Sequence, residues 1–464
     1  MTVRARELSD ASACGRLLAI GGQPPAVAEQ KARRFAACVE ALSAAGVTAD
    51  APVHALFVPG RIEVLGKHTD YAGGRSVVAA VERGICLVAA GREDANVRAI
   101  ALDVGGQCEF ALSPDLKPTV GDWSNYPMTV ARRVARNFPG PLRGAAIAYS
   151  SDLPVAAWMS SSSTVMVASF LALAAINRLA ERDEYRREIR DAESLAGYLG
   201  TIENGQDFGG LLGDRGVGTF GGSEDHVAML CSSPGALKQY AYCPVRFERL
   251  IEMPGDYAFA IAASGVVAEK TGEAMAKYNR ASALARAAVA AWNAATGRDD
   301  AHLAAALADD PAAAERMRRA LADGPGAEGF AAADLARRFE HFHTENEQVI
   351  PAASDALAAG DVEAFGRLVD RSQSAAETLL QNQVPETAFL ARSARTCGAA
   401  AASAFGAGFG GSVWAMVRRG NGPALLDRWR AAYAEAFPDP ARRAAFFLTA
   451  PGCAAFELAA SRCS

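Results

Sequence analysis

The chain has 464 residues, of which half are hydrophobic and 21% charged, and its formal net charge is −5. This length is too great for a single compact core, so two domains are expected. The acidic balance and the lack of a long run of Lys or Arg argue against nucleic-acid and membrane-surface partners.

Nine cysteines are spread along the chain, and none forms a Cys-x-x-Cys pair. An odd number without that spacing argues against a disulfide framework or a zinc site. No secretory signal is evident at the start, and the apolar run from Thr164 to Ile176 is too short to span a bilayer. We therefore expect a cytoplasmic protein with reduced thiols.

Helical and strand-like patterns alternate along the chain. In chain order they predict a surface helix at 27–45, strands within 54–66 and 75–91, a helix at 125–138, a strand and loop at 144–159, and a long helix from Ser162. An Ala-rich helical region then runs from Glu269 to about Leu380, and strand-like runs return near the end of the chain. We predict a mixed α+β fold with domains at residues 1–250 and 251–464.

The stretch "VPGRIEVLGKHTDYAGG", residues 58–74, concentrates chemistry in an Ala-rich chain. Arg61, Lys67, His68 and Asp70 fall within ten positions, and glycines flank them. Two cations, an imidazole and a carboxylate on a backbone that bends freely indicate a site that holds a ligand.

Two further stretches suggest contact with an anion or a ligand. Four serines, Ser160–Ser163, open the long apolar helix, whose first amides and dipole could hold an anion. Ordinary helix capping is the alternative, although capping needs one serine only. The stretch "FGAGFGGSVWAMV", residues 405–417, lets the backbone approach a ligand closely or simply turns tightly into a strand.

In order and separation, these motifs resemble those of the GHMP small-molecule kinases, and within them the galactokinase branch. The stretch "PGRIEVLGKHTDY" is similar to the galactokinase signature Pro-Gly-Arg-x-Asn-x-x-Gly-Glu-His-x-Asp-Tyr. "LPVAAWMSSSST" occupies the place of the family's phosphate loop, "GGSEDHVAML" resembles the segment that holds the galactokinase base, and "GAGFGGSVWAMV" matches the third motif. The likeness runs from about Val53 to about Val417.

The resemblance implies a two-domain GHMP kinase fold with the active site in the cleft between the domains. It implies transfer of the γ-phosphoryl group of ATP to the anomeric C1 hydroxyl of galactose or a galactose-like sugar. Asp225 would accept the sugar proton, and Arg61 would be its partner. The residues that would bind the sugar are Lys67, His68, Asp70, Tyr71, Gly222 and Tyr278.

The resemblance also implies an ATP site and a magnesium ion. The ATP-binding residues would be Trp158, Ser160, Ser161, Ser162, Ser163, Gly408 and Gly410, and Ser162 and Glu203 would hold Mg²⁺. The expected partners are the sugar and ATP, with no nucleic acid and no membrane. The expected state is a monomer or a weak homodimer.

Several positions depart from the family pattern and leave alternatives open. Lys67 stands where galactokinases have Glu, so the substrate could carry a carboxylate, as a uronic acid of the galacturonate type does. Ala156 and Trp158 replace glycines of the phosphate loop, and Trp158 could instead lie against the adenine; this loop leaves room for a sugar and ATP sensor without turnover. Another acceptor, such as mevalonate or homoserine, is a third alternative, against which "HTDY" speaks.

Overall fold

A computed structural model describes residues 2–119, 121–154, 161–266, 272–308 and 310–459. Within this part of the chain, two β-sheets are packed among helices. The strands are β1 Val3–Arg4, β2 Pro52–Leu65, β3 Arg75–Gly91, β4 Asn96–Ala101, β5 Gly106–Ala111, β6 Ala145–Ser151, β7 Ala236–Ala241, β8 Arg246–Glu252, β9 Tyr257–Ala263, β10 Ala401–Phe405, β11 Ser412–Arg418, β12 Ala445–Thr449 and β13 Phe456–Glu457.

The helices fall into three groups along the chain. The first comprises α1 Ala5–Ser9, α2 Ala11–Ile20 and α3 Pro25–Ala44. The second comprises α4 Asn125–Asn137, α5 Ser161–Ile176, α6 Asp183–Glu188, α7 Ala192–Asn204 and α8 Glu224–Cys231. The third comprises α9 Gly272–Thr296, α10 Leu303–Leu307, α11 Ala313–Asp323, α12 Ala332–His343, α13 Ile350–Ala358, α14 Val362–Ala375, α15 Pro385–Thr396, α16 Gly422–Ala436 and α17 Pro438–Ala441, with π-helical turns at Thr344–Val349 and Ala376–Leu380.

The larger sheet has the strand order β1-β2-β3-β6-β4-β5; in addition, β7 pairs with β3, β8 pairs with β7, and β13 pairs with β2. The smaller sheet has the strand order β10-β11-β9-β12, and each pair of neighbouring strands in it is antiparallel. The change of sheet between β8 and β9 falls near the predicted boundary at residue 250. The boundary itself stays a prediction, and β13 shows that the chain returns to the larger sheet at its end.

Side chains of the central strands point alternately to the two faces of the larger sheet, and each face has its own hydrophobic core. Phe57 and Val88 pack with helices α1–α3, whereas Leu56, Val58 and Leu87 pack with helices α4, α5 and α7. Successive strand residues point to opposite faces, so a strand covered on both faces reads as a nearly continuous apolar run. The predicted mixed α/β fold is confirmed, and the predicted helices at 27–45 and 125–138 correspond to α3 and α4.

The far end of the β2–β3 hairpin joins the two sheets. Ile62, Leu65 and Val77 share a buried core with Trp414 of the smaller sheet and with helices α13 and α14. The loop that connects β2 to β3, residues 66–74, therefore lies where the two halves of the chain meet. Across the described ranges, no helix has both the length and the apolar character that crossing a bilayer requires.

Candidate active site

A cavity of about 570 Å³ lies at this junction. Its walls come from the end of β2, the 66–74 loop, the first turn of α5, the start of α8 and the glycine-rich turn after β10. Five residues predicted from the sequence as site residues, among others, line it: Arg61, Asp70, Ser162, Glu203 and Asp225. The structure therefore brings the separate motifs of the sequence to one place.

Two irregularities in β2 aim its side chains at the cavity. The pairing of β2 with β3 shifts register between Pro59 and Arg61 and again between Glu63 and Leu65. Such bulges bend a strand locally and redirect side chains next to functional sites. Because Arg61 and Glu63 are two residues apart, they point to the same face of the strand, and both line the cavity.

Arg61 and Asp225 form an ion pair in the cavity wall. The Nε of Arg61 donates to the Oδ1 of Asp225 at 2.5 Å. Burial opposes the charged form of Arg61, but Asp225 and its acidic neighbours outweigh burial, so the pKa of Arg61 is raised. Asp225 lies in the first turn of α8, where the helix dipole favours a carboxylate, and its side chain is 26% exposed.

A second acidic group lies on the far side of Asp225. The Oγ of Ser163 donates to the Oε2 of Glu203 at 2.9 Å and lies 3.4 Å from the Oδ2 of Asp225. The Nε2 of His226 lies 3.5 Å from the same Glu203 oxygen. These contacts connect the start of α5, the end of α7 and the start of α8 around Asp225.

The 66–74 loop is held in shape by residues far away in sequence. Gly66 has φ +114°, and a Cβ there would lie 2.5 Å from the Cβ of Ser76. The amide of Gly66 donates to the Oε1 of Glu345 at 2.8 Å, and Arg338 donates to the carbonyl of His68 at 2.5 Å. Arg338 and Glu345 were not predicted as site residues, because nothing in their local sequence pattern distinguishes them from other charged residues of an Ala-rich helical region.

His68 is neutral and fully engaged within the protein. Burial lowers its pKa to about 4. Its Nε2 donates to the carbonyl of Ala407 at 3.1 Å, so its Nδ1 accepts from the hydroxyl of Tyr71 at 2.8 Å. With its ring beside that of Tyr278, at 5.4 Å between centroids, His68 shapes the cavity wall; a direct hydrogen bond from His68 to a sugar stays a prediction.

Asp70 and Gly222 fit against one another. The carboxylate of Asp70 accepts from the amides of Tyr71 at 2.8 Å and Glu224 at 3.2 Å. Burial raises the pKa of Asp70 to about 6, although these amides oppose the shift. A Cβ at Gly222 would lie 2.3 Å from the Oδ2 of Asp70, so this position has no room for a side chain. The predicted sugar residues Asp70, Tyr71, Gly222 and Tyr278 all line the cavity.

Lys67 requires a correction. We expected its ammonium to face the substrate, but Lys67 is 0% exposed and is absent from the described residues that line the cavity. Its Nζ donates to the Oγ of Ser403 at 2.8 Å and of Ser372 at 3.2 Å, and Ser372 in turn donates to Glu345. The side chain of Lys67 therefore joins the 66–74 loop to α14 and β10.

Two buried carboxyl groups that were not predicted as site residues line the cavity. The Oε2 of Glu63 accepts from the amide of Gly406 at 3.1 Å. One oxygen each of Glu63 and Glu224 has no hydrogen-bond partner among the described residues. Burial raises the pKa of Glu63 to about 7, and burial together with the charge of Glu63 raises that of Glu224. The sequence signal was present, since Glu63 stands where the family signature has Asn.

The predicted ATP-binding residues fall into three groups. Ser162 lines the cavity, and Ser163 is buried behind it. Trp158 and Ser160 lie outside the described residues, as does the side chain of Ser161.

The third group of predicted ATP-binding residues lies in the glycine-rich turn, but different residues of this turn line the cavity. Gly406 and Ala407 are among the described cavity-lining residues, whereas Gly408 and Gly410 are not. A Cβ at Gly408 would lie 2.1 Å from the carbonyl oxygen of Asn382. Gly408 therefore allows the turn to pack against the end of the helical region, and its contact with ATP stays a prediction.

One arm of the cavity is aromatic, and the sequence analysis overlooked it. Trp123, Tyr126 and Tyr149 line this arm together with Leu102 and Val104. The rings of Trp123 and Tyr149 meet edge to face with their centroids 6.5 Å apart. Such a wall suits a planar, apolar group. The signal would have been Trp123 and Tyr126, spaced three residues apart at the start of a helix.

The predicted magnesium ligands are oxygen donors on one cavity wall. The hydroxyl of Ser162 and the carboxylate of Glu203 both line the cavity. Over the described ranges, no group of three or more His, Cys, Asp and Glu side chains is placed to hold a metal ion. Two protein oxygens nevertheless fit Mg²⁺, which usually takes one or two from the protein and the rest from water and phosphate.

Comparison with known proteins gives three family matches along the chain. Residues 46–91 match the galactokinase galactose-binding signature, residues 125–207 the N-terminal domain of GHMP kinases, and residues 353–435 the GHMP kinase C-terminal region. These ranges include the 66–74 loop, the serine-led helix α5 with Glu203, and the glycine-rich turn.

Similar proteins and solved structures agree with these three family matches. A galactokinase of Actinobacillus pleuropneumoniae serotype 5b (strain L20) is 26% identical over 373 residues, which cover 79% of this chain and 85% of the relative. A galactokinase of Roseiflexus sp. (strain RS-1) is 25% identical over 397 residues, which cover 83% of this chain and 88% of the relative. The structure of Lactococcus lactis galactokinase complexed with galactose superposes with a TM-score of 0.70 at 23% identity, covering 87% of this chain and 95% of that one.

The structural likeness supports the fold, and the family matches place the motifs that meet in the cavity. With these motifs in family order and their residues brought together, the chain carries regions that match the N-terminal and C-terminal parts of the GHMP kinases, together with the galactokinase galactose-binding signature.

Proposed function

We propose that this protein transfers the γ-phosphoryl group of ATP to the anomeric C1 hydroxyl of galactose or a closely similar sugar. The observation that carries the proposal is the contact between Arg61 and Asp225, 2.5 Å apart, in one cavity with the 66–74 loop and the first turn of α5. Phosphoryl transfer to a sugar needs a carboxylate and a guanidinium at the reacting groups. It also needs a segment that binds the sugar, here the 66–74 loop, and a helix N-terminus that binds phosphate.

In the reaction, the C1 oxygen forms a bond to the γ-phosphorus, and the bond from that phosphorus to the β–γ bridging oxygen breaks. The sugar proton passes to the carboxylate of Asp225, and ADP leaves. Because phosphoryl transfer is loose and the nucleophile needs little activation, the proton can leave late. Arg61 orients the carboxylate of Asp225 through their ion pair, and the charge of its guanidinium would stabilise the moving phosphoryl group.

The sugar would be oriented by other side chains of the cavity lining. Asp70 offers carboxylate oxygens, Tyr278 offers a hydroxyl, and Gly222 leaves the space that a side chain would fill. Holding both reactants in line can supply roughly 7–11 kcal/mol of the barrier reduction. The fixed backbone of the 66–74 loop is what makes such positioning possible.

The nucleotide would occupy the other arm. We propose that the adenine lies among Trp123, Tyr126 and Tyr149, and that the phosphates lie at the N-terminal turn of α5. Ser162 and Glu203 would hold Mg²⁺, which supplies charge neutralisation at the phosphates when bound.

The alternatives receive less support. Binding of a uronic acid would need the ammonium of Lys67 to contact the substrate carboxylate. That ammonium instead donates hydrogen bonds to Ser372 and Ser403. Glu63 also places a carboxyl group in the cavity wall, which disfavours an acidic sugar. A sensor without turnover has no need of the contact between Arg61 and Asp225. We also keep as proposals a cytoplasmic location, which rests on the cysteine pattern, and a monomeric or weakly dimeric state.

The test is to identify the product. Purified protein is incubated with Mg-ATP and galactose labelled with ¹³C at C1, and the product is examined by NMR. We expect ADP together with a sugar whose labelled carbon couples to ³¹P. ATP hydrolysis without a phosphorylated sugar, or a phosphate on another carbon, would overturn the proposal.

A further inference from the structure

Helix α3 carries a fully buried lysine that none of the site motifs explains. Lys31 is 0% exposed, and its Nζ lies 2.7 Å from the Oδ2 of Asp152 and 4.5 Å from the centroid of the Phe57 ring. The other oxygen of Asp152 accepts from the amide of Gly84 at 2.7 Å. A lysine is seldom buried completely unless its charge is paired, so this contact fixes Asp152 firmly.

Arg34 lies one turn further along α3, on the same side of the helix. Its Nη1 donates to the Oδ1 of Asp103 at 3.2 Å and to the Oγ of Ser150 at 3.0 Å. The other oxygen of Asp103 accepts from the amide of Ser151 at 2.5 Å. Lys31 and Arg34 thus hold two neighbouring parts of the larger sheet, the end of β6 and the connection from β4 to β5.

Both of these parts form cavity wall. Asp103 lines the cavity, as do Ser151, Leu153 and Pro154, the residues on either side of Asp152. They adjoin the aromatic arm through Tyr149 on β6 and Leu102 beside Asp103. Neither Lys31 nor Arg34 is among the described residues that line the cavity, so any effect they have passes through Asp152 and Asp103.

We propose that Lys31, assisted by Arg34, is a positioning residue for the nucleotide: it fixes the wall formed by Ser151–Pro154 at the nucleotide arm of the cavity. The inference rests on the proposed function for the identity of that arm. Residues 25–44 lie outside all three matched family regions, so the family matches assign no role to α3. The buried pair is the stronger element, because the ion pair of Arg34 with Asp103 is partly exposed.

The contacts predict a separation between the two substrates. Removing the ammonium takes away the charged partner of Asp152 and leaves its carboxylate held by the Gly84 amide alone, so the wall at 151–154 is less firmly fixed, whereas Asp70 and Asp225 keep their own contacts. A displacement of about 1 Å can change a rate or an affinity severalfold to a hundredfold. We expect Lys31→Met to raise the KM for ATP about tenfold, with the KM for galactose within about threefold of the wild type.

The experiment compares Lys31→Met and Asp152→Asn with Arg33→Met, a control on the exposed side of α3 whose partner is Glu29. Asp152→Asn keeps an oxygen for the Gly84 amide, so it serves where Lys31→Met fails to fold. Turnover kinetics for both substrates are paired with calorimetric titration of a non-hydrolysable ATP analogue without sugar. We expect weaker analogue binding in both variants and wild-type binding in the control.

A purely stabilising role would lower the melting temperature and leave the KM for ATP and the analogue affinity unchanged, and that result would overturn the inference. Equal losses for ATP and galactose would also overturn it. The binding arm separates this inference from the proposed function: a wild type that binds the analogue without turnover defeats the proposed function only, whereas a wild type that binds no nucleotide defeats both.

Discussion

At the scale of single residues, the proposed chemistry depends on two side chains in contact. In the ion pair of Arg61 and Asp225, the carboxylate of Asp225 is the group that can accept a proton. Its second oxygen lies 3.4 Å from the hydroxyl of Ser163. Replacing it with the isosteric amide removes the base and retains most of the shape.

We expect Asp225→Asn to lower kcat by about 10²- to 10⁴-fold, because it removes general-base catalysis. Galactose affinity should stay within about threefold, since Asp70 and Gly222 are unchanged. Steady-state kinetics and calorimetric titration with galactose measure the two effects. Asp427→Asn, an exposed control, should behave as wild type, and wild-type turnover in Asp225→Asn would remove the residue from the mechanism.

For Lys67 we expect no effect on the choice of sugar, because its buried ammonium donates to Ser372 and Ser403 and Lys67 is not among the described residues that line the cavity. We expect Lys67→Met to leave the ratio of kcat/KM for galactose to that for galacturonate unchanged within about threefold. Kinetics with both sugars provide the measurement, and exposed Lys117 supplies a control in Lys117→Met. A selective loss of galacturonate turnover would show that Lys67 reaches the substrate after all.

Glu63 predicts a pH-dependent effect on stability. Burial raises its pKa to about 7, so between its unfolded value of about 4.5 and pH 7 the folded protein binds more protons at this site than the unfolded chain. The site's contribution to the free energy of unfolding therefore falls as pH rises through this range. Glu63→Gln cannot titrate, so its stability relative to wild type should increase from pH 5 to pH 7 and then level off.

Denaturant unfolding of both proteins at several pH values measures this difference. His68 titrates in the opposite sense, because its pKa is lowered, but it is present in both proteins. Glu224 is also present in both, but the charge of Glu63 helps to raise its pKa, so Glu63→Gln reduces that shift and adds to the expected difference in the same direction. A difference between the two proteins that does not change with pH would mean that Glu63 is charged in the folded state throughout this range.

At the scale of elements, loops and bulges place the reactive groups, and helices support them. The register shifts in β2 direct Arg61 and Glu63 to one side, and the short segment before α8 presents Gly222 to Asp70. These are places where a small change in the backbone moves a carboxylate.

Gly222→Ala should displace Asp70, because the new Cβ would lie 2.3 Å from its Oδ2. We expect the KM for galactose to rise about tenfold and the KM for ATP to stay nearly constant. Gly420→Ala, at a position with open space around it, is the matched control. Kinetics with each substrate varied in turn give both constants, and an unchanged galactose KM would show that Asp70 does not orient the sugar.

At the scale of the whole molecule, the cavity exists because the β2–β3 hairpin reaches into the second half of the chain. Local patterns predicted strands β2 and β3 and helices α3, α4 and α5, since each has its own periodicity and end signals. The resemblance to the kinase family implied Arg61, Asp70, Ser162 and Asp225 as site residues, because the order of the motifs carried information that no single motif did.

Other parts of the site depend on contacts that local patterns do not encode. The bond from Arg338 to the His68 carbonyl spans 270 residues, and that from Gly66 to Glu345 spans 279. The direction of Lys67 followed from these packing contacts, so its charge alone was a poor guide. The aromatic arm was missed for a similar reason, since Trp123 and Tyr149 meet only when the sheet and α4 have assembled.

The measurement that tests the central claim most directly is ADP release by the purified protein with Mg-ATP and one sugar at a time. Galactose, galacturonate and a reaction without sugar are compared under the same conditions. We predict ADP release that depends on sugar, with a higher kcat/KM for galactose than for galacturonate. Tight galactose binding with ADP release no faster than without sugar would contradict the assignment of this cavity as a galactose kinase site.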